Sequence, residues 1–283
     1  MLTPLGPASI GASGWVRIRF AARKEGGGDE DSSMADLNFV QSYNNHVADL
    51  ARRIQGDDAL RLAIGGEFMA VGKLEYYLLR SLGLEDGQSL VDIGCGSGRL
   101  ATQLVPMANL RYLGTDVVQP LLDLASRLCG RSDWRFERVD TTAIPQADAS
   151  AEMVCSFSVF THLLHEETFK YLREAMRVLK PGGLLVFSFI EFRIPCHWGI
   201  FMASVDAHAG WHLNQFMDRD GIRAWAENLG FEIVSIHDGD KPHIPIPEEI
   251  VWENGNRMSG MGNIGQSIAI LRKPTAVASP VSG

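Results

Sequence analysis

The chain has 283 residues, 46% of them apolar, and 26 basic against 34 acidic side chains give a formal net charge of -8. That length suits one large α/β domain with a well-buried core, and no Lys/Arg cluster supplies the basic surface that nucleic acid or an anionic membrane requires. No apolar run reaches the roughly 18 residues of a membrane span, and the four scattered cysteines, Cys95, Cys129, Cys155 and Cys196, read as reduced thiols of a cytoplasmic protein rather than a disulfide framework.

Residues 1–33 mix Gly, Ser and Pro with a charged glycine-rich patch and read as an extension, either disordered or translated upstream of a start at Met34. The domain is expected over 34–273, with 274–283 as a tail. Two helices open it, "NFVQSYNNHVADLARRI" and "EFMAVGKLEYYLLRSLGL", before the first central strand "SLVDIG". A helix "RLATQLVPMA" starts straight after three glycines. Strand "LRYLGTDVV", helix "QPLLDLASRLCG", strand "WRFERVD" and the almost wholly apolar strand "AEMVCSFSVF" follow. "EETFKYLREAMRVLK" sets Phe169, Leu172, Met176 and Leu179 on one helical face, and Pro181-Gly182-Gly183 stops it before strand "LLVFSFI". Helix "RDGIRAWAENLG" and strands "FEIVSI" and "SIAILRK" complete the series, with 237–265 as a long loop between the last two strands. This alternation predicts a Rossmann-like, doubly wound sheet of about seven strands, mostly parallel with an antiparallel edge strand and helices on both faces.

In such sheets ligands bind outside the carboxyl ends of the strands. Gly94, Gly96 and Gly98 fill the turn after the first strand, where backbone without Cβ atoms can lie against a ligand. Their spacing is G-x-G-x-G, not the dinucleotide G-x-G-x-x-G, and Asp92 two residues earlier would repel a pyrophosphate. Asp116 ends the second strand, 18 residues beyond Gly98, and suits both hydroxyls of a ribose. Asp140 ends the third and can accept from an exocyclic amine. A row of acids from amino-acid end to ribose to adenine describes S-adenosylmethionine, although each aspartate alone also reads as an ordinary turn residue.

In order and spacing, "VDIGCGSGRLA", "YLGTDVV", "RVDTTAIP", "AEMVCSFSVFTHL" and "EAMRVLKPGGLLVFSF" resemble the successive motifs of class I S-adenosylmethionine-dependent methyltransferases. The resemblance implies that Asp92, Gly94 and Gly96 line the methionine moiety, Asp116 the ribose, Asp140 and Thr141 the adenine edge, and Ser158 the floor near the methyl group. Cys95 and Val117 stand beside them as further cofactor contacts. "IGGEF", Ile64 to Phe68, is similar to an entry segment of bacterial members that modify sugars and other small metabolites.

Methyl transfer is an in-line displacement in which alignment and exclusion of water do most of the work, and a hydroxyl nucleophile also calls for a base. His162 and Glu191, after the fourth and fifth strands, are the candidates, and a histidine at such a turn can equally hold the loop. The segment 191–216 is too long and aromatic for a plain connection and reads as a lid, with Phe192, Trp198, Phe201, Trp211 and Phe216 walling an acceptor pocket. His208 and His212 stand at the i,i+4 spacing of a helical ligand pair beside Cys196 and His197, but "HAGWH" lacks the metalloprotease glutamate, Gly210 weakens the helix and no third ligand stands at a recognised spacing, so no metal is expected. The expected activity is methylation, on oxygen before nitrogen or carbon, of a small hydroxylated metabolite or glycan-like acceptor. An NAD-linked dehydrogenase and a cofactor-binding partner or sensor without catalysis are the alternatives.

Overall fold

The computed structural model describes residues 67–206 and 213–275; the expected extension, the helix near residue 40, Ile64 and the histidines at 208 and 212 lie outside the described residues. Helix α1 (Phe68–Ser81) leads into β1 (Ser89–Ile93), α2 (Arg99–Leu104), β2 (Arg111–Asp116), α3 (Gln119–Cys129), β3 (Arg135–Arg138) and β4 (Ala151–Ser156). A single 3-10 turn (Phe160–His162) precedes α4 (His165–Val178) and β5 (Leu179–Phe189). Helices α5 (Pro195–Val205) and α6 (Arg219–Leu229) come before β6 (Glu232–His237), β7 (Ile244–Val251), β8 (Arg257–Gly262) and β9 (Ser267–Arg272).

Seven strands form one sheet in the order β3-β2-β1-β4-β5-β9-β6. All pairs from β3 through β5 are parallel, and β9 runs antiparallel to both of its neighbours, β5 and β6. The antiparallel strand therefore sits one place inside the sheet, and the edge belongs to β6. The last two strands of this sheet thus form the expected antiparallel edge pair, with β9 filling the gap beside β5 and β6 outermost. β1 is buried along its whole length, as a central strand covered on both faces must be. Leu90 joins the core beneath α1 and α2, while Val91 and Ile93 join the core beneath α4 and α6, the alternation of a pleated strand.

The expected loop at 237–265 instead contains a hairpin, β7 with β8, that forms a second sheet and packs on α1. Ile244, Ile246 and Ile250 are buried with Leu74 and Leu78 of α1. Pro245 and Pro247 occupy exposed alternate positions of a two-stranded ribbon, where a missing N–H costs little.

Candidate cofactor site

Every element that ends at the carboxyl rim of β1, β2 and β4 carries a residue expected at the site. Gly94, Gly96 and Gly98 all have positive φ, 68°, 55° and 85°. The Gly96 N–H donates to Asp116 Oδ2 at 3.0 Å, and the Val118 N–H to Asp116 Oδ1 at 2.9 Å. The turn after β1 is thus tied to the end of β2 through one carboxylate. A carboxylate offers about four lone-pair sites, so even with the Val117 N–H also acting on it Asp116 retains acceptor capacity for a ligand donor such as a ribose hydroxyl. Asp140 and Thr141 lie exposed just past β3, and Cys95 and Val117 lie buried within the two turns.

Asp92 is placed differently from expectation. Its carboxylate points into the core under α1, where Tyr112 Oη–H donates at 2.7 Å and Cys155 Sγ stands 3.6 Å away. It braces β1 against β2 and β4 from below the glycine turn, with the buried Arg99–Glu75 ion pair close by. Burial raises its carboxyl to about 7.

Ser158, two residues past β4, adopts a left-handed conformation at φ 61°. Its N–H donates to Ser188 Oγ at 2.7 Å, which holds the strained residue in place. Val159 then presses on the glycine turn: a Cβ built on Gly94 would lie 2.3 Å from Val159 Cγ2. His162 follows in the 3-10 turn, and its Nδ1 bonds the Leu213 carbonyl at 2.8 Å. Together with Gln215 N to Thr161 O at 2.7 Å and Met217 N to Ile190 O at 2.9 Å, this seats residues 213–217 across the rim between β4 and β5.

Glu191 does not stand open to an acceptor. It is 1% exposed and accepts from Ser267 Oγ at 2.5 Å and from Arg219 Nη2 at 2.7 Å and Nε at 3.0 Å. Its neighbour His197 is likewise spent, with Nε2 bonded to the Gly265 carbonyl at 3.0 Å. Beyond them Phe192 stacks on Phe216 at 4.5 Å with Phe201 edge-on to both, while Phe192 and Trp198 remain about half exposed. Four of the five aromatics expected to wall an acceptor pocket, Phe192, Trp198, Phe201 and Phe216, pack together; Trp211 lies outside the described residues.

Gln266 is a rim residue that sequence reasoning passed over. It contacts Ser158 across 108 residues, Nε2 to Oγ at 3.1 Å, and only the pairing of β9 beside β5 brings it there.

The electrostatics of Asp116 give a measurable consequence. Burial raises its carboxyl to about 6, outweighing the backbone donors that favour the ionised form. Ligand hydroxyls donating to the carboxylate favour ionisation, so binding below that pH must expel a proton. Affinity for S-adenosylhomocysteine should then fall about tenfold from pH 7 to pH 5. Asp92 titrates in the same window but faces Tyr112 and Cys155, so Asp116→Asn should bind more weakly and lose most of the slope. Calorimetry showing an undiminished slope in that variant would overturn the ribose role.

Residues 91–187 match the family model described as "Methyltransferase domain". The 27-O-demethylrifamycin SV methyltransferase of Amycolatopsis mediterranei is 29% identical over 120 residues, 41% of this chain and 43% of the relative. A sterol 24-C-methyltransferase of Gibberella zeae is 30% identical over 153 residues, 52% of this chain and 40% of the relative. The chain spans about half the length, or less, of these curated relatives. Among solved structures, a SAM-dependent methyltransferase of Thermotoga maritima superposes with a TM-score of 0.54 at 16% identity, over 82% of this chain and 99% of that one. A TehB-like SAM-dependent methyltransferase of Corynebacterium glutamicum gives 0.50 at 17% identity, over 82% and 99%. Sheet order, glycine turn and family match agree: residues 91–187 match a methyltransferase domain, and the chain has the fold of class I S-adenosylmethionine-dependent methyltransferases.

Proposed function

We propose that this chain binds S-adenosylmethionine along the rim of β2, β1 and β4 and transfers its methyl group to a small hydroxylated or glycan-like acceptor. The observation that carries the cofactor half is the bare glycine turn clamped by Asp116, whose remaining acceptor capacity suits a ribose hydroxyl. Two named relatives support oxygen as the target, the rifamycin 27-O-methyltransferase and an O-methyltransferase of Penicillium expansum, 23% identical over 156 residues. The half-exposed aromatic wall beyond β5 supports a ring-bearing acceptor, because such rings bury much apolar area while leaving hydroxyls free to be aimed. When bound, the cofactor supplies an electrophilic methyl whose C–S bond breaks as the new O–C bond forms, sulfur keeping the bonding pair and the acceptor proton leaving to water.

The residues' own contribution is alignment. Ser158 and Val159 seat the methyl-bearing end against the glycine turn, and His162 pins the strap 213–217 that limits water at the rim. In this reading His162 is a positioning residue. The chain should bind S-adenosylhomocysteine and not NAD by calorimetry, and should label members of a panel of phenols, polyols and methyl glycosides from methyl-labelled S-adenosylmethionine. Cofactor binding with no member labelled would favour a non-catalytic module. His162→Asn keeps an N–H donor for the Leu213 carbonyl but no base, so its kcat should stay within about fivefold of the parent, against the 10² to 10⁴ loss expected for a general base. A loss in that larger range, with the pH profile losing its histidine limb, would make His162 the base.

A further inference from the structure

Gln266 precedes β9, and the pairing of Ser267 with Phe189, the last residue of β5, sets it past the carboxyl end of β5. Its side chain crosses that end to reach Ser158, is 6% exposed, and uses only its amide nitrogen. The amide oxygen Oε1 is fully buried with no hydrogen-bond partner. Groups next to it in the chain are assigned elsewhere: Gly265 N–H to Asn263 Oδ1, the Gly265 carbonyl to His197, Ser267 Oγ–H to Glu191. A buried carbonyl oxygen left bare is destabilising, and one beside a ligand rim suits a donor brought from outside.

The contacts of Gln266 place it next to the cofactor rim. They run in a line along the rim: Gly94 against Val159, Val159 next to Ser158, Ser158 to Gln266. The near end of this line is the glycine turn and the far end is the rim of β4, β5 and β9. We infer that Gln266 positions the methyl acceptor, its Oε1 receiving the O–H or N–H of the nucleophile and turning a lone pair toward the methyl group. This rests on the proposed cofactor reading and narrows the acceptor to one whose reactive atom carries a hydrogen. An amide oxygen is no base near neutral pH, so its effect is orientation alone.

The test needs no knowledge of the natural acceptor. Two analogues of S-adenosylmethionine with nitrogen in place of sulfur, one carrying a 2-hydroxyethyl arm and one a propyl arm, put a hydroxyl or a methyl where the acceptor atom belongs. Calorimetry with the parent and Gln266→Met closes a double-mutant cycle. The hydroxyethyl-over-propyl preference should fall about three- to tenfold in Gln266→Met, the worth of one hydrogen bond, with affinity for S-adenosylhomocysteine within about twofold of the parent. Gln266→Glu, which keeps an acceptor oxygen, should keep the preference. Gln266→Asn, which withdraws the oxygen by one methylene, should lose it, and decides the matter if the Met variant does not fold. A preference unchanged in both the Met and Asn variants would overturn the inference while leaving cofactor binding intact. Failure of the parent to bind S-adenosylhomocysteine at all would instead bring down the cofactor reading, and this assignment with it.

Discussion

Gly94→Ala should weaken binding of S-adenosylmethionine by roughly 30- to 5,000-fold, the equivalent of about 2 to 5 kcal/mol. Two costs add at this residue. An L-residue held in the left-handed region, where Gly94 has φ 68°, costs about 1 to 2 kcal/mol. The added methyl would also sit 2.3 Å from Val159 Cγ2, and overpacking of this kind costs about 1 to 3 kcal/mol. The free protein escapes both by relaxing the turn, and binding must then restore it against that strain. Val159→Ala in the same chain removes the clashing methyls and should recover the packing share, leaving a loss of about 5- to 30-fold from the backbone alone. Calorimetry giving Gly94→Ala an affinity within threefold of the parent would show that the cofactor does not use this turn.

That coupling between two turns 65 residues apart marks the boundary of what could be read from the chain. The glycine turn, the aspartates at strand ends and the alternation of strand and helix are local patterns, and each appears where the sequence puts it. Positions set by pairing between distant segments were not legible. Strand β9 carries no signal for its insertion between β5 and β6, and Gln266 becomes a rim residue only through that insertion. Asp92 shows why a strand-end acid is ambiguous: strand periodicity decides whether it faces the crevice or the core, and here it shares Leu90's face and meets Tyr112. The hairpin was hidden by composition. Ile244-Pro245-Ile246-Pro247 alternates inward isoleucines with outward prolines, and prolines ordinarily argue against a strand.

Glu191→Leu should lower the melting temperature by about 6 to 20 °C, because the side chain belongs to a buried ion pair. Its oxygens hold Arg219 and Ser267, and Arg219 reaches on to Asp238 at 2.5 Å, so one carboxylate ties the end of β5 to α6, to the residue after β6 and to β9. Removing it leaves a buried guanidinium with Asp238 alone and a buried hydroxyl without its acceptor, a change that costs about 3 to 5 kcal/mol when a paired charge is orphaned. Arg219→Met added to Glu191→Leu should recover part of this, since an apolar pair of similar volume escapes the desolvation penalty, although Asp238 then keeps only Lys241. A base predicts the reverse pattern. Glu191→Gln preserves shape and still accepts from Ser267, so a catalytic carboxylate would show a kcat loss of at least about 100-fold at nearly unchanged stability. The arrangement here predicts a lowered melting temperature, with turnover below it within a few-fold of the parent. Thermal melts and turnover measured on the same Gln variant separate the two, and loss of activity in a fully stable protein would return Glu191 to the reaction.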